Sequence, residues 1–233
     1  MCAVQMKYPE IEAKARDLQK KIWEQRARLW PVQVPSLLEM LDPAIAARVL
    51  NVQFEIYEEL GRFGSGRDHY EIAGMIDRQA RRIAVSKKFQ PAAMRFTGAH
   101  EVGHWLLHPR EVMHRDRPIE GFADETLPRP PLEREADYFA ACFLVPRKLA
   151  MATFKATFQV NAPLFLDDAS AFWLSHGDPG SLLGAETGSL DFARAVASAT
   201  SYGGQHFKSL ASQFGVSVTT MAIRLRELEL IRE

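Results

Sequence analysis

The sequence is poor in the features that mark secreted, membrane-spanning and nucleic-acid-coating proteins. Its two cysteines, Cys2 and Cys142, are too few for a disulfide framework and are typical of a reducing compartment. No uninterrupted run of about 18 apolar residues occurs, and no apolar stretch follows the first basic residues, so neither a membrane span nor an export signal is predicted. Lys and Arg number 29, as do Asp and Glu, so no net charge draws the chain to nucleic acid or to a membrane. We therefore expect a cytoplasmic protein without membrane contact.

The composition is that of an ordinary globular protein, and prolines mark several of the predicted helix boundaries. The 233 residues, 47% of them hydrophobic, suffice for one large domain or two small ones. An amphipathic helix is predicted over residues 7–30, and a further helix is predicted from Pro43 toward Tyr57 and Leu60. Alternating apolar residues then predict a hairpin over residues 70–86. Prolines delimit two more helices, residues 91–108 and residues 131–145.

The first of these proline-delimited helices carries the sequence HEVGH at residues 100–104, which is an HExxH pattern. Four residues turn a helix by about 400°, so the imidazoles of His100 and His104 lie about 40° apart and one ion can bridge them. Glu101 is the candidate general base of a metal-dependent hydrolysis, and the buried stripe beside it predicts that it faces outward at the edge of a cleft. HExxH also arises by chance in long helices, so a further ligand is needed.

A catalytic zinc ion takes three protein ligands and leaves its fourth position to water. Glu133 and Glu135 on the second helix are the candidates for the third ligand. Glu133 shares a helix face with Asp137, whereas Glu135 points to nearly the opposite side. We therefore predict one Zn²⁺ per chain, held by His100, His104 and Glu133, with Asp137 orienting a ligand imidazole. The alternative is that both glutamates are solvated charges at a helix amino terminus.

Three further residues bear on this site. His108 does not complete the longer HExxHxxGxxH pattern, because its spacing is too short, and it is predicted to cap the helix or to support a ligand. Cys2 is a candidate for the open metal position, where it would hold an enzyme latent, and Cys142 is predicted to be a buried apolar residue. A zinc-stabilised module without catalysis is disfavoured, because closed structural sites commonly use cysteines in a pattern that is absent here.

A strand comprising Arg82, Ile83, Ala84 and Val85 directly precedes the motif helix. Its free edge is predicted to pair with an extended peptide, which would present a peptide bond to the metal.

Two linked motifs give the chain a family resemblance. Residues 96–108, FTGAHEVGHWLLH, and residues 133–141, EREADYFAA, resemble the ImmA/IrrE family of bacterial metallopeptidases, in which the position of Glu133 is a zinc ligand. Residues 210–217, LASQFGVS, resemble the family's carboxyl-terminal helical unit. The resemblance implies cleavage of a helix-turn-helix repressor, which would release genes of a mobile element, a stress response or an anti-phage operon.

These observations predict an α+β fold in three parts. An amino-terminal helix (1–34) precedes a mostly helical, zincin-like metallopeptidase domain with a small antiparallel sheet (35–160), and a helical unit resembling a helix-turn-helix (161–233) packs on that domain. The competing interpretation is a DNA-binding or protein-binding regulator that acts through the last unit without proteolysis. The helix after its turn has no Lys or Arg before Arg224, so bases and phosphates would find few partners. A protein substrate is therefore preferred to nucleic acid.

Overall fold

The computed structural model describes residues 6–63, 70–109, 129–175, 177–186 and 188–233, and the backbone of residues 113–116. The chain divides into two compact units, Met1–Leu144 and Val145–Glu233. Helices predominate and are combined with short strands, which confirms the predicted α+β class. The predicted domain boundaries after residues 34 and 160 stay predictions, because compactness alone does not define a domain. In the part of the chain described, no helix is both long and apolar enough to span a bilayer.

The first unit contains six helices and six strands among its described residues. The helices are α1 (Tyr8–Glu24), α2 (Arg26–Leu29), α3 (Leu37–Met40), α4 (Pro43–Val49), α5 (Pro91–Leu107) and α6 (Pro131–Leu144). The strands are β1 (Gln53–Tyr57), β2 (Arg62–Phe63), β3 (Tyr70–Glu71), β4 (Gly74–Asp77), β5 (Arg82–Ser86) and β6 (Met113–Asp116).

The prediction of a helix running from Pro43 toward Leu60 is wrong beyond α4. The helix gives way at Asn51, whose φ of 56° lies in the left-handed region that ends regular helices. The chain then continues as strand β1, which pairs in parallel with β5. An apolar periodicity this short does not distinguish a helix from a strand, and the turn at Asn51 decides between them.

The main sheet is four-stranded and mixed, in the order β1, β5, β4, β6. The predicted hairpin is present as the antiparallel pair β4 and β5, and β6 pairs antiparallel with β4. Strand β5 is therefore enclosed between β1 and β4, with all of residues 82–86 in register with β1. The prediction of a free edge at Arg82–Val85 is wrong, and the hydrogen-bonding groups of β5 are committed within the sheet.

Helices α1, α5 and α6 pack together in the first unit. The buried face of α1 consists of Ile11, Ala15, Leu18 and Ile22. The side-chain amide of Gln19 on α1 donates to the carbonyl oxygens of Cys142 and Phe143, which lie in the last turn of α6. Helix α5 approaches α6 closely at Gly103, where a Cβ atom would lie 3.3 Å from the Cα of Ala136. The core therefore holds the two predicted ligand helices against each other.

The second unit is built from short elements. Its helices are α7 (Arg147–Phe158), α8 (Asp168–Leu174), α9 (Pro179–Leu183), α10 (Asp191–Ser198), α11 (Leu210–Phe214) and α12 (Val218–Glu227). Its strands form two small pairs, β7 (Leu164–Phe165) with β10 (Ile231–Arg232) and β8 (Ser201–Tyr202) with β9 (Gln205–His206).

Candidate metal centre

Helix α5 places the motif residues, and both of its ends are fixed. Pro91 occupies the first turn, where a missing N–H costs nothing, and His108 is the carboxyl-terminal cap residue. The Arg78 guanidinium donates to the carbonyl oxygens of His104, Trp105 and His108 at 2.8, 3.2 and 2.9 Å. It also lies over the Trp105 ring, 4.6 Å from the centroid. Arg78, which sequence reasoning missed, thus satisfies helix-end carbonyls beside the motif.

Three donor groups converge between α5 and α6. The Nε2 atoms of His100 and His104 lie 2.9 Å apart. Glu133 brings Oε2 to 3.4 Å from Nε2 of His100 and Oε1 to 3.3 Å from Nε2 of His104. Tetrahedral ligands about 2.1 Å from a zinc ion are separated by roughly 3.4 Å, so these spacings suit one ion. Two neutral imidazoles and one carboxylate are also a donor set that zinc accepts.

The outer nitrogen of His100 is held by a carboxylate. Asp137 Oδ1 lies 2.9 Å from Nδ1 of His100, and Arg129 contacts the other oxygen of Asp137 at 3.0 Å. Arg129 also reaches Glu133, with Nη2 to Oε2 at 3.6 Å. With the proton on Nδ1 shared with Asp137, the Nε2 lone pair of His100 faces the cluster. Asp137 lies where the helix-face argument placed it.

The outer nitrogen of His104, Nδ1, is held by a second set of contacts, which involves His108 and Glu135. His108 Nδ1 lies 2.8 Å from Nδ1 of His104, and His108 Nε2 lies 3.1 Å from Oε2 of Glu135. Glu135 is 2% exposed and stays outside the donor cluster, but it reaches the site's periphery through His108, a contact that the helix-face argument did not predict. It lies just beyond the first turn of α6, where its side chain reaches the end of α5 at His108.

Glu101 is fully buried, contrary to the prediction that it faces outward. Strand β4 covers it, and Gly74 makes this possible. A Cβ atom at Gly74 would collide with the Glu101 carboxylate and would lie 2.9 Å from Glu101 Cγ and 2.6 Å from Cγ2 of Thr97. The candidate base is therefore enclosed between its own helix and a strand that passes directly over it.

The other predicted residues lie away from the donor groups or outside the described residues. Arg82 stands at the start of β5, opposite Asp77, and forms ion pairs with Glu55 at 3.5 Å and with Asp77 at 3.9 Å. The residue paired with Gly74 is Val85, three positions further along, so Arg82 is remote from the Glu101 carboxylate. Cys142 is buried as predicted, and Cys2 lies outside the described residues.

Comparison with known families agrees with this geometry. Residues 55–161 match the family model of the IrrE N-terminal-like domain, peptidase family M78. Residues 55–161 thus form a domain of the ImmA/IrrE family. This family assignment indicates a metallopeptidase, and the match includes both helices that supply the donor groups. A search among curated proteins finds no match.

The ImmA/IrrE domain includes the helices and strands that form the site, but α1, which packs beside the site's helices, lies outside the matched residues. Helices α5 and α6 and strands β4, β5 and β6 fall within residues 55–161, whereas α1 precedes them. The segment before α1 nevertheless reaches the site's periphery, because the Met6 backbone N–H donates to Oε1 of Glu135 at 2.9 Å.

Proposed function

We propose that this chain is a zinc-dependent endopeptidase in which His100, His104 and Glu133 hold the metal and Glu101 is the general base. The observation that carries the proposal is the convergence of the three donor groups at 2.9–3.4 Å. Both histidines direct Nε2 inward and have hydrogen-bonding partners on Nδ1. A zinc ion bound there supplies an acidified water and polarises the scissile carbonyl.

Glu101 is suited to transfer the proton of the attacking water. It follows a ligand directly in sequence and is shielded from solvent by β4. A carboxylate in so enclosed a place interacts more strongly with a nearby proton donor than it would in bulk water. It would accept the proton of the attacking water and deliver it to the leaving amine.

Strand β6 replaces β5 as the candidate substrate edge. Gly74 on β4 touches Glu101, and Gly74 is paired with Asp116 on β6. In the described sheet β6 is an end strand, and it adjoins the strand that covers the catalytic base. We therefore place an extended substrate along β6, where main-chain pairing would align it with the metal centre.

The substrate in this proposal is another protein, a small helix-turn-helix repressor cleaved at one or a few sites. The support is the family, together with a sheet edge suited to an extended chain. A folded repressor offers such a chain only in linkers or locally unfolded segments, so limited proteolysis is expected. Loss of the repressor would open its operon, in a stress, mobile-element or anti-phage context. The cytoplasm, where such repressors act, is the proposed location.

The experiment is incubation of the purified protein with the products of neighbouring regulatory genes, with and without a zinc chelator. Glu101→Gln is the matched control, because it keeps the side-chain volume and removes the base. Defined fragments that require both zinc and Glu101 support the proposal. Absence of fragments from every candidate, at full zinc occupancy, contradicts the repressor assignment.

The second candidate function is that of a regulator acting through α11 and α12. These helices are joined by a turn in which Gly215 has a φ of 62°. Arg224 is buried and bonded to the Val145 carbonyl and Glu227, so it is not presented to phosphates. Exposed Val218 and Ile223 favour a protein partner over DNA. Reporter induction by Glu101→Gln, without repressor fragments, would support this function instead.

A further inference from the structure

We propose that Glu135 and His108 position His104 for the metal, and that the segment before α1 holds this relay in place through the Met6 backbone N–H. The inference rests on the proposed metal site and extends it beyond the residues of the ImmA/IrrE domain. It assigns a role to two buried polar side chains and to one main-chain group that the proposed reaction does not otherwise use.

The relay is a continuous series of short contacts. Met6 N lies 2.9 Å from Oε1 of Glu135, and Oε2 of Glu135 lies 3.1 Å from Nε2 of His108. His108 Nδ1 then lies 2.8 Å from Nδ1 of His104, whose Nε2 faces the other donor groups. Both intermediate side chains are buried. Water is therefore a poor substitute for either of them.

One arrangement of protons satisfies every group in the relay. An ionised carboxylate only accepts, so the Met6 N–H and the His108 Nε2–H both donate to Glu135. His108 Nδ1 is then an acceptor for the Nδ1–H of His104. That tautomer leaves the lone pair on Nε2 of His104 directed toward the metal position, and the negative carboxylate makes the ligand a better donor.

The two histidine ligands thus have separate supports. His100 depends on Asp137, whose second oxygen contacts Arg129, whereas His104 depends on His108 and Glu135. Among the contacts described above, the support of His100 and the support of His104 meet only at the donor cluster itself. Their effects on metal binding should accordingly be independent of each other.

The position of Met6 is set by the packing of α1, which lies outside the matched family domain, on α6, which lies within it. Tyr8, at the start of α1, packs its ring on Tyr138 of α6 with centroids 4.4 Å apart. Gln19, further along α1, binds the last turn of α6. Helix α1 is thereby fixed along α6, and the Met6 N–H is delivered to Glu135, just beyond the first turn of the same helix. Met6 thus acts as part of the metal site.

The test compares His108→Ala, Glu135→Ala and Met6→Pro with the wild type. Proline at Met6 removes the N–H donor, whereas Met6→Ala removes the side chain and keeps the N–H. Lys7→Pro is a second control, because Lys7 has a φ of −80° that proline tolerates and the Met6 N–H remains. The measurements are the zinc dissociation constant by chelator competition and the visible spectrum of the Co²⁺-loaded protein. Thermal unfolding of the metal-free proteins reports the fold.

His108→Ala and Glu135→Ala should weaken zinc binding about 10- to 100-fold, the range for losing such support of a ligand. Met6→Pro should weaken it by a smaller factor, about 3- to 10-fold, because it removes one donor from Glu135 and leaves the contact of Glu135 with His108 in place, while Met6→Ala and Lys7→Pro match the wild type. The Co²⁺ spectrum should shift in the three relay variants. A change of stability alone would not alter the ligand field, so the spectrum separates positioning from folding.

Combination variants decide whether the groups act in series. His108→Ala with Glu135→Ala should bind zinc no more weakly than His108→Ala alone, whereas Glu135→Ala with Asp137→Asn should show the product of the two single effects.

Wild-type zinc affinity and an unchanged Co²⁺ spectrum in the relay variants would overturn the relay and leave the proposed function standing. A wild-type protein that binds no zinc would overturn both. If Glu135→Ala does not fold, Met6→Pro against Met6→Ala still decides the matter.

Discussion

Replacing Gly74 by alanine should impair catalysis without removing the metal. The added Cβ would lie 2.9 Å from Glu101 Cγ and 2.6 Å from Thr97 Cγ2, whereas ordinary contacts begin at 3.4 Å. The strand or the side chains must therefore shift by about 0.5 Å at Glu101 Cγ and about 0.8 Å at Thr97 Cγ2, and by more at the Glu101 carboxylate. The Glu101 carboxylate meets the new methyl group most closely, and the three atoms nearest to that group all belong to Glu101 and Thr97. The substitution should therefore displace mainly the carboxylate of Glu101, the proposed general base.

Misplacing a catalytic group by about 1 Å can reduce the rate roughly 100-fold. For Gly74→Ala we expect a decrease in kcat of about 10- to 100-fold, with a stability loss of about 1–3 kcal/mol from overpacking. The assay is the rate of repressor cleavage at equal zinc occupancy, with thermal unfolding recorded on the same samples. Gly177→Ala is the matched control, because a Cβ there meets nothing within 4 Å.

Wild-type turnover in Gly74→Ala, at full zinc occupancy and with an intact fold, would refute the placement of Glu101 under β4. Loss of zinc together with activity would show that the strand supports the ligands rather than the base. The expected result is zinc retained, unfolding shifted slightly and kcat reduced.

Three further substitutions test the site. Glu101→Gln should retain zinc and reduce cleavage about 100- to 10,000-fold, the usual contribution of a general base, and equal turnover at equal zinc content would exclude that role. Glu133→Ala should abolish stoichiometric zinc, which metal analysis of the purified protein measures, and undiminished zinc would remove Glu133 from the ligand set. Gly103→Ala should destabilise the fold by up to about 2 kcal/mol in chemical denaturation, because crowding of its Cβ against the Ala136 carbonyl oxygen at 3.2 Å outweighs the roughly 1 kcal/mol that alanine gains over glycine inside a helix. No change there would contradict the close packing of α5 on α6.

Local signals in the sequence located the two helices that carry the donor groups. Pro91 and Pro131 fix helix starts through backbone constraints that act within one turn, so both helices begin where the prolines predict. The choice of Glu133 over Glu135 used only the direction of side chains around one helix axis, and the structure brings Glu133 to both histidines.

Features that depend on tertiary packing were beyond that reasoning. The burial of Glu101 depends on Gly74, which belongs to a strand distant in sequence, and no helical periodicity carries that information. Glu135 reaches His108 because of how α6 crosses α5, which a helical wheel of α6 alone does not show. Strand β1 was missed because the left-handed turn at Asn51 interrupts the helix without a glycine to signal it.

The central claim, a single metal held by His100, His104 and Glu133, is tested most directly by elemental analysis of protein purified without added metal. The account predicts one zinc per wild-type chain and none in the His100→Ala, His104→Ala double variant, because that variant keeps a single donor of the three. Full zinc occupancy in the double variant would contradict the assignment of the metal to this site.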